Sequence, residues 1–241
     1  METRTALVTG AAQGLGHEFA VALAGHGYRV AGLDLVPQPE TAGKVLDYLE
    51  LTADVTDETQ VRQALERVID RFGTLHILVN NAGVYPSSPF EETTPEEWRR
   101  VMRVNLEAPF LVTQAVLPHL RAAGWGRIVN IASAAVLTAP PTMVPYVTSK
   151  MGLIGFTRAL ASALGPCGIT VNAIAPSMVR TATAERTVGA DGGFEHVRAQ
   201  QAVPRTQLPS DLVSTLLYVI DEGSGFLTGQ TLNVSGGSAY L

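Results

Sequence analysis

Cysteine, basic runs and long apolar stretches are all scarce in this 241-residue sequence. The single cysteine, Cys167, excludes an intrachain disulfide and fits a reducing compartment. Charged residues make up 16% of the chain and the formal net charge is −5, with no basic run that could follow a phosphate backbone, so we expect no nucleic acid partner. Because the sequence has neither an apolar signal segment nor a stretch long enough to span a bilayer, we expect a cytoplasmic protein without membrane contact.

Apolar residues, by contrast, make up 46% of the chain, enough for a substantial core. Short apolar runs that suit buried strands alternate with segments of helical periodicity. The predicted strands are Thr5–Val8, Tyr28–Leu33, Leu46–Leu51, Leu75–Val79, Arg127–Ile131, Ile169–Ile174 and Thr231–Val234. The predicted helices are 15–25, Glu58–Phe72, Pro95–Leu120, Tyr146–Leu164 and Asp211–Ile220. This alternation predicts a single α/β domain with a Rossmann-type, doubly wound parallel sheet and helices on both faces.

Three glycines follow the first predicted strand. Gly10, Gly14 and Gly16 have the order Gly-x-x-x-Gly-x-Gly, and helical sequence begins at Leu15. Glycines allow the backbone to turn tightly and allow a pyrophosphate to approach the N-terminus of the helix. The position between a strand and a helix therefore favours a dinucleotide-binding turn over an ordinary glycine-rich loop.

An acidic residue stands where such a site needs one. Asp34 ends the second strand, 18 residues after Gly16, which is about where a carboxylate meets the adenosine ribose. A carboxylate there would repel a 2′-phosphate, and the neighbours Gln13 and Leu35 are not basic. We therefore expect NAD rather than NADP, and an aspartate that only stabilises a turn is the alternative.

Tyr146 and Lys150 are four residues apart, so they share one face of a predicted helix. A phenol has an ordinary pKa of about 10 and is a poor base at neutral pH. A neighbouring ammonium favours the phenolate, so we expect Lys150 to lower the pKa of Tyr146 and to make it a general acid and base. A chance pair on an amphipathic helix is the alternative, and the pair alone does not exclude it.

Taken together, these segments resemble the short-chain dehydrogenase/reductase family nearly end to end. The matching motifs are Thr9–Gly16, Asp54–Val55, Asn80–Gly83, Asn105, Ser133, Tyr146-x-x-x-Lys150 and Thr228–Gln230. Within the family, three segments most resemble the NAD-dependent 1-phenylethanol dehydrogenases. These segments are Asp34–Pro37, Asn81–Pro86 and Ile174–Thr183.

The resemblance implies a role for each catalytic residue. Tyr146 is the general acid and base, and Lys150 also holds the nicotinamide ribose. Ser133 bonds the substrate oxygen and stabilises developing negative charge. Asn105 would hold a water that links Lys150 to solvent. No metal is implied, and the histidines show no ligand spacing.

The resemblance also implies a set of NAD contacts. Besides Tyr146 and Lys150, they are Gly10, Gln13, Gly14, Leu15, Gly16, Asp34, Asp54, Val55, Asn81, Ala82, Gly83, Pro176 and Thr181. One departure is Ser177, which follows Pro176 where the family commonly has a glycine beside the nicotinamide. A serine could crowd that site or add a hydroxyl to it, and it weakens the expectation that Thr181 contacts the carboxamide.

The expected substrate pocket lies around Ser133 and Tyr146 and has an apolar wall. The wall consists of Tyr85, Ala134, Ala135, Val136, Leu137, Pro140, Pro141, Met143, Val144 and Met178. No arginine or lysine is among them to hold a carboxylate or phosphate. We expect a compact hydrophobic alcohol or ketone, aryl-alkyl or cyclic, rather than a sugar. Packing of the same residues in the core is the alternative.

Residues 181–206 contain three glycines and no strand signal, and we expect them to form a mobile lid over the substrate. The helix after Tyr146 is apolar or small over most of its circumference, so we expect a second subunit to cover it. A homotetramer is the assembly that the resemblance implies.

Two other functions compete with alcohol dehydrogenation. A 3-oxoacyl thioester reductase would usually take NADPH, and Asp34 counts against it. A non-catalytic NAD-sensing protein often loses the tyrosine or the lysine of the pair, and both are present here.

Overall fold

The computed structural model describes residues 3–189 and 192–240. The strands in this part of the chain are β1 Thr5–Thr9, β2 Arg29–Asp34, β3 Leu49–Thr52, β4 Ile77–Asn80, β5 Gly126–Ile131, β6 Ile169–Pro176 and β7 Thr231–Val234. They form one parallel sheet in the order β3-β2-β1-β4-β5-β6-β7. The strand order reverses direction between β1 and β4, which is where ligands of doubly wound sheets bind.

Helices cover both faces of the sheet. The α-helices are α1 Gly14–Gly25, α2 Pro39–Ala42, α3 Glu58–Phe72, α4 Pro95–Met102, α5 Ala108–Ala123, α6 Ala135–Thr138, α7 Val144–Leu164, α8 Ala182–Ala184, α9 Gly193–Ala199 and α10 Val213–Ile220. One buried cluster joins the sheet to α3, α5 and α7, and another joins it to α1 and α10. The predicted single-domain, Rossmann-type fold is confirmed.

The alternation of side chains along β1 shows why the core has two halves. Leu7 points to the cluster beneath α3 and α5, whereas Ala6 and Val8 point to the cluster beneath α1 and α10. All three residues are buried, because a parallel strand inside a doubly wound sheet meets helices on both sides. Within the described part of the chain, no helix is long and apolar enough to cross a membrane.

The sequence prediction is wrong for the start of β3. That strand begins at Leu49 rather than Leu46, whose side chain is 95% exposed. Asp47 has a φ of 59°, which breaks any strand that runs through it. The segment before β3 instead turns inward through Gln38, which is fully buried and donates to the carbonyl oxygens of Gly32 and Leu51.

Two other segments differ in detail from the prediction. The single helix expected over Pro95–Leu120 is divided into α4 and α5 by a π-helical turn at Arg103–Glu107, which contains Asn105. The expected lid contains the short helices α8 and α9 rather than irregular chain, and Phe194 of α9 is buried. Residues 190 and 191 of the expected lid lie outside the described residues.

Candidate active site

The predicted site residues gather along the carboxyl edge of the sheet. Asn81, just after β4, donates to the carbonyl oxygens of Thr9 and Gly10 at 2.9 and 3.1 Å. Ala134, just after β5, donates to the carbonyl oxygen of Pro176 at 2.8 Å. These hydrogen bonds join the glycine turn to the end of β4, and the segment that carries Ser133 to the end of β6.

The glycine turn brings backbone segments closer together than side chains would allow. Gly10 and Gly14 have φ values of 68° and 61°, and a Cβ on Gly16 would overlap the carbonyl oxygen of Gly10. A Cβ on Gly14 would lie 3.3 Å from Cγ2 of Thr181, so that residue lies directly over the turn. Among the described residues, the side chain of Gln13 caps no N–H group of α1. The turn and the N-terminus of α1 thus fit an anionic pyrophosphate.

The carboxylate of Asp34 is held in place by two backbone N–H groups. Its Oδ2 accepts from Ala12 at 2.9 Å and its Oδ1 accepts from Val36 at 3.2 Å. Each carboxylate oxygen can accept a further hydrogen bond, which fits a pair of ribose hydroxyls. The adjacent Leu35 is 67% exposed and offers no cation.

The remaining predicted cofactor contacts follow β3 and β4. Asp54 accepts at its Oδ1 from the N–H and hydroxyl of Thr56, both at 2.8 Å, and Val55 beside it is buried. Gly83 lies close to the catalytic helix, because a Cβ there would be 3.6 Å from Nζ of Lys150. The loop after β4 therefore passes between the glycine turn and α7.

Lys150 is buried one turn into α7. Its side chain is 4% exposed, and its Nζ donates to the carbonyl oxygen of Ile131 at 2.6 Å. The ammonium also lies 5.8 Å from the ring centroid of Tyr146. Burial lowers the pKa of Lys150 to about 8, because the charged form loses its hydration.

The phenol of Tyr146 differs from the expectation in one respect. Burial raises its pKa above the ordinary value, and a hydrogen bond from the Ser133 side chain lowers it in part. The phenol of Tyr146 is therefore neutral at pH 7, the form that can donate a proton. The ammonium of Lys150 is directed to the Ile131 carbonyl, and its effect on the pKa of Tyr146 stays a prediction.

Asn105 ties the π-helical turn to the active-site loop. Its carboxamide accepts from the N–H of Val84 and donates to the carbonyl oxygen of the same residue, both at 2.8 Å. It also donates to the hydroxyl of Ser149 at 3.1 Å, which in turn donates to the carbonyl oxygen of Tyr146 at 2.7 Å. The fully buried amide thus positions the loop of Val84 against α7. Its role in holding a water stays a prediction.

Two residues of this site were missed by sequence reasoning. Ser149 was detectable, because it is three residues after Tyr146 and so shares its helix face. Gln207 was not, because it follows a long stretch without periodicity. Its buried side chain accepts from the N–H of Ser177 at 3.0 Å and donates to the carbonyl oxygen of Val234 at 2.7 Å.

Most of the apolar residues expected around the pocket are half-buried or exposed rather than fully buried. Ala134 is buried, whereas Val136, Leu137 and Met143 are half-buried. Tyr85 is 38% exposed, and its ring meets the ring of Tyr146 edge-on with centroids 6.4 Å apart. These side chains offer apolar surface near Tyr146, and their role as a substrate wall stays a prediction.

A family model described as short chain dehydrogenase matches residues 4–191 of the chain. This chain belongs to the short-chain dehydrogenase family. One relative of this dehydrogenase is the (2S)-[(R)-hydroxy(phenyl)methyl]succinyl-CoA dehydrogenase subunit of Thauera aromatica, 37% identical over 247 residues that cover 100% of this chain and 98% of the relative.

Solved structures of the family superimpose closely on this dehydrogenase. An actinorhodin polyketide ketoreductase variant with NADPH has a TM-score of 0.94 and 32% identity, covering 99% of this chain and 98% of its own. A 3-ketoacyl-(acyl-carrier-protein) reductase from Brucella melitensis with NADH has a TM-score of 0.92 and 30% identity, covering 99% of both chains. The short-chain dehydrogenase described here is thus an oxidoreductase by family, with solved neighbours that hold nicotinamide dinucleotides of both kinds.

Proposed function

We propose that the protein is an NAD-dependent oxidoreductase that interconverts a hydrophobic secondary alcohol, aryl-alkyl or cyclic, and its ketone. The observation that carries the proposal is the proximity of the Ser133 hydroxyl to the Tyr146 phenol, close enough for the serine to lower the pKa of the phenol, beside apolar side chains. NAD+, when bound, would accept the hydride of the alcohol, and its reduced form, NADH, would supply a hydride to the ketone. The pair of hydroxyls supplies the proton and the hydrogen bonds that the substrate oxygen needs.

Each side chain then has a distinct task. The neutral phenol of Tyr146 donates its proton to the oxygen of a ketone as negative charge develops there. Ser133 donates a second hydrogen bond to the same oxygen and stabilises that charge. The ammonium of Lys150, anchored on the Ile131 carbonyl, supplies positive charge behind the phenol.

Two further observations support a hydrophobic substrate. The half-buried wall residues offer contact area without a charge, and sugars would leave several hydroxyls unpaired against them. The name of the Thauera aromatica relative describes a secondary alcohol that carries a phenyl group within a succinyl-CoA thioester. Segments that resemble 1-phenylethanol dehydrogenases make 1-phenylethanol the representative substrate.

The preference for NAD follows in this proposal from Asp34. Replacing it by serine together with Leu35→Arg removes the repulsion toward a 2′-phosphate and adds a bidentate partner for it. We expect the double variant to weaken NAD binding and to accept NADP, measured as kcat/KM with each cofactor. The single variant Leu35→Ala is the control and should keep the NAD preference. A wild-type protein that already prefers NADP contradicts the role of Asp34.

A 3-oxoacyl thioester reductase is the second candidate, favoured by the names of the two solved neighbours. Steady-state kinetics on 1-phenylethanol, a cyclic alcohol, a sugar and a 3-hydroxyacyl thioester separate the candidates. We expect the highest kcat/KM with one of the first two compounds. The highest value with the thioester would establish the second candidate, and the highest value with the sugar would exclude both. Turnover of none of them would favour an NAD-sensing protein.

We also propose a homotetramer that acts in the cytoplasm. Helix α7 leaves Met151, Gly155 and Ala159 exposed, and the neighbouring α5 leaves Phe110 exposed. Exposed apolar or small residues on these two helices suit a subunit interface. Sedimentation at micromolar protein concentration tests the assembly, and a monomer there contradicts it.

A further inference from the structure

Ser177 stands in the position of the family's glycine, and its hydroxyl contacts two segments that are distant in sequence. Its hydroxyl accepts from the side-chain amide of Gln201 and meets the hydroxyl of Ser238, each at 3.4 Å. Gln201 lies two residues after α9, and Ser238 lies near the end of the described chain. The hydroxyl thus links the end of β6 to two segments that are distant in sequence.

The C-terminal turn, residues 235–240, lies on the same part of the lid segment. The N–H of Val203 donates to the carbonyl oxygen of Gly236 at 2.8 Å. Gly237 has a φ of 81°, and a Cβ there would lie only 2.8 Å from Cβ of Ala202. The turn is closed by Asn233, which donates to the carbonyl oxygen of Ala239 at 2.6 Å. The close approach of this turn needs the glycine.

The backbone that follows Ser177 leads to the glycine turn. The N–H of Ser177 bonds the buried Gln207 side chain, and the N–H of Arg180 bonds the Gln207 carbonyl oxygen at 2.8 Å. The next residue, Thr181, lies over Gly14. Residues 177–181 are therefore held on one side by Gln207 and the lid segment, and they end at the glycine turn.

The hydrogen bonds of the Gln201 side chain are the weak contacts of this arrangement. Its amide donates to Ser177 and to the carbonyl oxygen of Ser235 at 3.4 and 3.3 Å, both long for hydrogen bonds. Its buried carbonyl oxygen has no partner within residues 3–189 and 192–240. A buried acceptor without a donor is unfavourable, so this is the point at which the lid segment can shift at least cost.

We propose that Ser177 is a positioning residue that fastens the trailing end of the lid segment and the C-terminal turn to the strand end leading into Thr181. The proposal rests on the proposed function in so far as the lid segment covers the substrate. Ser177 then acts on substrate binding through Gln201 and Ser238 and contacts no reacting atom.

The test compares Ser177→Ala with Ser177→Thr, which keeps the hydroxyl. We expect Ser177→Ala to raise the KM of the alcohol about five- to tenfold, the factor for one lost uncharged hydrogen bond, with kcat within about threefold. Amide exchange of residues 193–203 in the NAD complex should become faster. Ser177→Thr should restore both values. Ser238→Ala should show the same change as Ser177→Ala, and Ser162→Ala, on an exposed face of α7, should change neither value.

Three outcomes overturn the proposal. They are an unchanged KM and unchanged exchange in Ser177→Ala, failure of threonine to restore them, or a loss of kcat and NAD affinity as large as the change in KM. The exchange comparison needs NAD alone. If the wild type turns over none of the alcohols, the proposed function fails while the exchange experiment still decides the role of Ser177.

Discussion

Tyr146→Phe is expected to abolish turnover while leaving NAD binding almost intact. A positioned general acid contributes about 10²–10⁴-fold to the rate, and the phenol is the proton donor of this site. The ring remains in the variant, so the edge-on contact with Tyr85 and the packing of α7 are kept. Steady-state kinetics on the alcohol and its ketone, with calorimetric titration of NAD, measure both effects.

The control for this variant is Tyr218→Phe, which removes the hydroxyl of an exposed tyrosine on α10. It should keep wild-type kinetics. Activity of Tyr146→Phe within tenfold of wild type, about 1.4 kcal/mol of barrier, would contradict the assignment because the main acid cannot contribute so little.

The raised pKa of Tyr146 also sets the expected pH dependence. Ketone reduction uses the neutral phenol, which is the main form at pH 7, so its rate should fall only at alkaline pH. Alcohol oxidation uses the phenolate, so kcat/KM in that direction should rise with pH until the phenol has titrated. Opposite slopes in the two directions are the expected result, and equal slopes would exclude Tyr146 as the titrating group.

Lys150→Met is expected to inactivate the enzyme and to stabilise the fold at the same time. A lysine pKa lowered from 10.5 to about 8 corresponds to about 3 kcal/mol of penalty on the charged form. The variant also loses the hydrogen bond to Ile131, which offsets about 1 kcal/mol of the gain in stability. We therefore expect the free energy of unfolding at pH 7 to rise by about 2 kcal/mol.

The gain in stability should depend on pH in a defined window. The folded-state pKa of Lys150 lies below its value in the unfolded chain, about 10.4, so the unfolded chain binds more protons between these values. The penalty is complete below about pH 8 and disappears as the pH rises toward 10. Denaturant titrations at pH 7 and pH 10 should show the stabilisation by methionine at the first pH only.

The chain offers one matched control, since Lys44 is its only other lysine. Lys44 is exposed and bonds the ring of His17. Lys44→Met should therefore neither raise the free energy of unfolding nor lower the catalytic rate. A Lys150→Met variant that is less stable than wild type at pH 7 would show that the buried charge is better compensated than the Ile131 contact indicates.

Local periodicity was enough to predict the sheet, its helices and the pairing of Tyr146 with Lys150. These features depend on residues a few positions apart, and their patterns are visible in the sequence. The hydrogen bond between Ser177 and Gln207 joins residues 30 positions apart, and no local pattern specifies it. The same applies to the Ile131 carbonyl that holds Lys150, and to the burial that raises the pKa of Tyr146.

The substrate wall could be listed from the sequence because it follows the catalytic residues along the chain. Its exposure could not, since the burial of Val136 or Met143 depends on tertiary packing that no local pattern specifies. The wrong prediction for the first residue of β3 has a related cause. Leu46 is apolar and precedes a strand, but the backbone conformation of Asp47 turns it toward solvent.

The inward turn before β3 has a consequence for chimeric enzymes. The hydroxyl of Tyr48 bonds the side chain of Gln38 and occupies the space that a Cβ on Gly32 would fill. Gly32 and residues 35–48 therefore form one exchangeable unit. A transplant of residues 35–48 into a family member with a larger residue at the position of Gly32 should misfold locally, whereas a transplant of residues 32–48, which includes Gly32 and Asp34, should carry the expected adenosine end of the cofactor site with it.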